Sequence, residues 1–164
     1  MTRMPGTPNV ETQREAMKKL GFLAGHWSGE ARILRGPGQF MEMAQTETAE
    51  FKLGGLVLMI EGVGRAEAEG TPVLQAIGLI SFDDESETYW LRAFNDGRWL
   101  ESEVKLMEGD RAISWGFTLG EIKTNSTLRL NEQGEWTEYA EITIGDRPPQ
   151  KLMDLVVRRV SRNL

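Results

Sequence analysis

Few residues in this chain can do chemistry unaided. It has one histidine, His26, and no cysteine. Thiolate nucleophiles, disulfides and the usual zinc ligand sets are thereby excluded. A hydrolase triad would have His26 as its one available base. Asp83-Asp84-Glu85 lacks calcium-loop spacing and reads as a solvated turn. Gly62-x-Gly64 follows a strand-like run but opens no helix, so it is not a phosphate cradle. What remains is a set of aromatic residues interleaved with charge in the middle and later segments.

Those segments alternate, so their side chains divide between two faces. In 88–94, Tyr89, Leu91 and Ala93 share one face and Trp90, Arg92 and Phe94 the other. In 98–107, Trp99 lies with Glu101 and Glu103. In 112–119, Ile113, Trp115, Phe117 and Leu119 form an apolar face, which we assign inward. In 136–144, Trp136, Glu138, Ala140 and Ile142 oppose Thr137, Tyr139, Glu141 and Thr143. An inward acid or arginine must be paired or must touch a ligand. Trp90, Arg92, Trp99, Glu101, Trp115 and Tyr139 are therefore the ligand-binding candidates, against the plainer reading that each charged face is solvated. Eight methionines, among them Met41, Met43, Met59, Met107 and Met153 on strand-like segments, suit an adaptable apolar lining or ordinary core filling.

The elements that must position these residues follow from punctuation and periodicity. Residues 1–9, with two prolines and a glycine, read as a flexible arm. Residues 10–20 form one amphipathic helix, capped by Asn9 or Thr12 and ended by Gly21. From His26 onward the chain breaks into ten strand-like runs: 26–34, 40–51, 56–65, 73–82, 88–94, 98–107, 112–119, 122–130, 136–144 and 151–160. Glycine, aspartate, asparagine or proline separates each from the next, Asn95-Asp96-Gly97 being the strongest hairpin signal. Short connections make neighbours antiparallel, and closure removes the two edges of so long a meander. The expected fold is all-β: one domain over 10–164, a ten-stranded antiparallel up-and-down barrel with the helix across one end.

The formal charge is −6 with acids and bases interleaved. That argues against nucleic acid and anionic membranes, which call for a basic stripe. No apolar run approaches the roughly 18 residues of a membrane span. The N-terminal stretch has no apolar core, so no secretory leader is expected. Lack of cysteine is compatible with the cytoplasm, where we expect the protein.

Gly25-His26-Trp27 at the start of the first strand resembles the Gly-x-Trp of lipocalin-like (calycin) barrels. Leu23-Ala24-Gly25-His26-Trp27, Leu53-Gly54-Gly55 and Ile77-Gly78 through Phe82-Asp83 together resemble a family of uncharacterised bacterial proteins, and distantly the ten-stranded barrel of nitrobindin. The resemblance runs from Met17 onward. It implies a barrel of ligand size and an arginine of the last strand, within Val156-Val157-Arg158-Arg159-Val160, lying over the Trp27 ring. Trp27 and Arg158 are named as this plug, with the choice between Arg158 and Arg159 open. The nitrobindin-like haem would need a histidine from a late strand, and none follows His26; Tyr89 or Tyr139 has nothing specific in its favour as a replacement. No cofactor and no metal is expected.

A large ring fills the base of a closed sheet well. With Trp27 inward, Gly29, Ala31 and Ile33 also face in and His26 faces out or lies under the helix. Gly29 either leaves space above the plug or permits a bend or close approach of the strand. Three functions follow. The leading one is binding of a small apolar or amphipathic molecule in the barrel. The second is catalysis on a hydrophobic substrate by a buried carboxyl, Glu101 or Glu138. The third is a packed barrel that forms a homodimer through an outer face.

Overall fold

A ten-stranded meander must either expose two edges or bring its last strand onto its first. In the computed structural model, which describes residues 6–161 other than 68, 96, 108 and 110, the ends meet. The strands are β1 (Gly25–Gly36), β2 (Gln39–Lys52), β3 (Val57–Arg65), β4 (Pro72–Asp83), β5 (Thr88–Asn95), β6 (Arg98–Met107), β7 (Ala112–Leu119), β8 (Ile122–Leu130), β9 (Trp136–Ile144) and β10 (Gln150–Arg159). Each pairs antiparallel with its sequence neighbours, and β1 closes onto β10 with Trp27 opposite Arg159 and Ile33 opposite Met153. The ranges read from the sequence agree with these strands to within two residues at every end.

Seams differ in strength. Among the described residues, β6 and β7 share three ladder pairs, Lys105–Ser114 through Met107–Ala112. Beyond them the ladder gives way to a side chain: Gly116 N–H donates to Ser102 Oγ at 3.1 Å.

The helix α1 (Val10–Lys18) begins at Asn9, whose side chain accepts from Thr12 N–H at 3.1 Å. It is shorter than expected, because the chain tightens into a 3₁₀ turn at Gly21–Leu23 before entering β1. Met17, Leu20 and Leu23 are fully buried, so this segment closes one end of the barrel. Polar ties fix it there. Gln13 donates to Asp84 Oδ1 at 2.8 Å, Arg14 to Gly54 O at 2.8 Å, and Tyr89 Oη to Ala16 O at 2.6 Å. Of the arm expected over 1–9, residues 1–5 lie outside the described residues, and Asn9 N–H donates to Asp84 Oδ2 at 2.9 Å.

Under the helix the barrel is plugged. Trp27 and Trp136 are each 1% exposed and meet edge to face, 5.5 Å between centroids. Trp27 Nε1 donates to Leu23 O at 2.9 Å, which satisfies the one polar atom of a buried indole. The cation over its ring belongs to Arg159, 4.2 Å from the centroid, and this corrects the assignment to Arg158. Alternation decides between them: Arg159 has the parity of Trp27, whereas Arg158 faces out to Glu135 at 2.7 Å and Glu30 at 3.6 Å. Arg159 also donates to the carbonyls of Ala24 and Phe22. Gly25 is required beside it, with φ of 135° and a Cβ that would stand 2.7 Å from Arg159 Nη1.

Gly29 serves close approach, not empty space: a Cβ there would fall 2.0 Å from Val156 O. Arg159→Ala should lower stability by about 1–2 kcal/mol, through the lost cation–π contact and two carbonyls left without their donor. Arg158→Ala should cost about 0–1 kcal/mol, as exposed ion pairs do. Urea unfolding of both variants tests this, and equal losses would refute the pairing.

Candidate functional site

The side chains that point inward are mostly small or apolar. Ala31 on β1, Ala76 on β4, Ala93 on β5, Ser102 on β6 and Ala140 on β9 all have inward parity. Several inward residues, Ile60, Ala93 and Trp115 among them, keep an intermediate exposure although strands surround them. Small side chains around the middle of a ten-stranded ring leave it incompletely filled.

Polar side chains break this lining, among them Gln45 and Glu47 on β2, Asn95 on β5, Thr124 and Ser126 on β8 and Glu138 on β9. Gln45 Nε2 donates to Glu47 Oε1 at 2.8 Å, and both residues are buried. Trp136 Nε1, at the upper edge of the plug, donates to Glu138 Oε1 at 3.4 Å. Glu47 lies opposite Trp27, and Gln45 opposite Gly29. The carboxyl cluster therefore sits just above the tryptophan pair.

Gly62-x-Gly64 makes this placement feasible. These glycines of β3 lie opposite Glu47 and Gln45. A Cβ on Gly62 would stand 2.8 Å from Glu47 Oε1, and one on Gly64 2.9 Å from Gln45 Oε1 and 2.7 Å from Met43 Sδ. The two glycines form a floor on which long inward side chains lie flat.

The environment favours neutral carboxyls. Burial pushes Glu47 well above the usual carboxylate range, the Glu138 charge adds to it, and the Gln45 hydrogen bond opposes it. Burial pushes Glu138 up to about 7, against the hydrogen bond from Trp136. Yet Glu138 retains intermediate accessible surface. Neither acid has an arginine partner among the ion pairs of the described residues. Gln45 Oε1 and Asn95 Oδ1 are buried with no hydrogen-bond partner.

Most residues singled out from the sequence lie elsewhere. Trp115 is inward and packs against the core. Trp90, Arg92, Trp99 and Glu101 are on the outer face of β5 and β6, because Tyr89, Leu91 and Ala93 take the inner one. Arg92 pairs with Glu101 at 2.9 Å in a solvent-exposed bridge, and Trp99 is 54% exposed beside Phe94. Glu101 is thus no buried acid, whereas Glu138 is. Tyr139 is 46% exposed on the outer face of β9. His26 faces out, with Nδ1 3.5 Å from Thr48 Oγ1.

Sequence reading passed over Gln45, Glu47 and Asn95. The signal for the first two was the series Met43-x-Gln45-x-Glu47-x-Ala49, in which polar residues share parity with apolar ones.

His26, the one imidazole, faces out, the Tyr89 hydroxyl donates to Ala16 O, and Tyr139 is 46% exposed on the outer face. Among the described residues no group of three or more His, Asp or Glu is placed to hold a metal ion. No helix among them is long and apolar enough to cross a membrane.

A groove of about 1220 Å³ runs over β8, β9, β10, β1 and β2. Arg129, Tyr139, Asp154 and Arg158 of outward parity line it, and so do Ala31, Met43 and Glu138 of inward parity.

The same architecture occurs in a solved protein. Rv2717c from M. tuberculosis superposes with a TM-score of 0.66 at 16% identity, over 89% of this chain and 98% of that one. At that identity the likeness establishes the fold alone. No family model matches the chain, and none of the curated proteins does.

The carboxyl environment sets a pH signature. With its folded pKa raised from 4.5 to about 7, Glu138 holds a proton in the barrel that the unfolded chain has already lost between those values. Stability therefore falls as pH rises through that window. Glu138→Gln should match the wild type near pH 4.5 and exceed it by up to about 3 kcal/mol at pH 8. Urea unfolding at both pH values measures the difference; parallel profiles would mean that Glu138 is solvated.

Proposed function

We propose that this protein is a lipocalin-like binding barrel that holds a small amphipathic molecule, its apolar part among the inward alanines, Ile60 and Trp115. The observation that carries this reading is the inward polar set: Gln45 Oε1, buried without a partner, beside the carboxyls of Glu47 and Glu138. Pockets of this kind are mostly apolar with a few convergent polar groups, and Gln45, Glu47, Asn95 and Glu138 supply those.

A second reading rests on the same carboxyl. An acid with a pKa of about 7 can both donate and accept a proton near neutral pH. Catalysis of a proton transfer on the bound molecule is thus compatible with the site, and Glu138 would be the acid or base.

The neutral fluorophore N-phenyl-1-naphthylamine tests the binding reading. Its emission should rise with the wild type and with Tyr139→Ala, which alters the outer groove. It should be lost with Ala93→Trp, which fills the interior, provided that circular dichroism shows the variant folded. No binding by the wild type, or loss with Tyr139→Ala alone, would refute the interior site. Native mass spectrometry of the purified protein should show bound small molecules released on unfolding.

A further inference from the structure

The interior polar atoms are unbalanced. Four groups can accept hydrogen bonds: the carboxyls of Glu47 and Glu138, Gln45 Oε1 and Asn95 Oδ1. Gln45 Nε2 is committed to Glu47 at 2.8 Å and Trp136 Nε1 to Glu138 at 3.4 Å. Gln45 is 3% exposed and its Oε1 has no partner. Buried acceptors without donors are costly and rare. Asn95 lies on the same row of the sheet as Glu47, with Gly62 and Ala76 between them, so no side chain from β3 or β4 bridges the gap.

No cation of this chain answers the carboxyls. Arg159 is spent on the Trp27 ring and on the carbonyls of Ala24 and Phe22. β5 presents Tyr89, whose hydroxyl is held by Ala16 O, and β6 presents Arg98 at the exposed far end. On β3, β4, β7 and β8 the inward positions carry no charge, and Arg35 at the far end of β1 is exposed and donates to Val73 O. Ser126 on β8 adds a hydroxyl of either role.

We propose, resting on the interior-binding reading above, that the ligand carries a protonated amine head, received by Glu47 and Glu138 with Gln45 Oε1 as a further acceptor. An ammonium group brings three donors for Gln45 Oε1 and the carboxyl oxygens and one positive charge for two acids that have no arginine partner. A carboxylate head would instead place a third acid beside two. The raised pKa of Glu138 adds a directional consequence. Binding an ammonium ion ionises the carboxyl and releases its proton to solvent, so affinity rises with pH through about 7.

Decylamine, decanol and decanoate, displacing N-phenyl-1-naphthylamine from the intact protein, distinguish the possibilities. At pH 8 decylamine should displace the probe at a concentration at least about tenfold below that of decanoate. The gap should narrow at pH 5.5. Glu138→Gln should abolish the preference, and Glu47→Gln should act in the same direction. Melting curves establish that each variant is folded. If decanoate binds as well as decylamine, or if Glu138→Gln keeps the preference, the amine proposal is overturned and interior binding stands. If none of the three displaces the probe because the probe itself does not bind, the interior-binding reading fails and the amine proposal with it.

Discussion

The stacking of Arg159 on Trp27, with Trp136 meeting the same indole edge to face, is the contact on which this barrel depends. It joins three otherwise separate demands. The guanidinium comes from the last strand and the indole from the first, so the contact spans the seam that closes the sheet. The same guanidinium and the Trp27 N–H satisfy the carbonyls of Phe22, Leu23 and Ala24, where the chain leaves its helical segment. The pair of indoles is also the floor on which the interior carboxyls rest.

A plugged floor has a consequence for the chemistry above it. Apolar rings below and strands all round desolvate Glu47 and Glu138, and burial raises the pKa of both. The fold thus tolerates a cost in stability near neutral pH. Polar groups that weaken a fold without organising it are commonly those kept for a ligand or a reaction. The small inward residues and the two glycines of β3 belong to the same arrangement, since bulkier side chains would displace the Gln45–Glu47 pair.

Local signals made most of the architecture legible. Each strand is bounded by glycine, proline, asparagine or aspartate, and each turn is short, so number, order and direction followed from the chain alone. Closure followed from the edge problem. Trp27 as plug followed from the resemblance of Gly25-His26-Trp27 to the Gly-x-Trp of lipocalin-like barrels. Glu138 was one of two acids, with Glu101, offered as a buried carboxyl.

Which face of each strand turns inward was a tertiary decision wherever both faces carry polar residues. Alternation divides a strand into two sets but does not say which set meets the core. On β5 the register with β4 and β6 puts Leu91 and Ala93 inside, and Trp90 and Arg92 follow to the surface. On β2 the set Met43, Gln45, Glu47 and Ala49 competes with Ala44, Thr46 and Thr48, and composition does not separate them. The lengthwise match of β2 to β1 and β3 does, because it sets Glu47 between Trp27 and Gly62. The sequence by itself determined ten strands, one covering helix and a closed ring. Closure of that ring decided where the acids stand, because only once ten registers are mutually consistent does each strand have an inside.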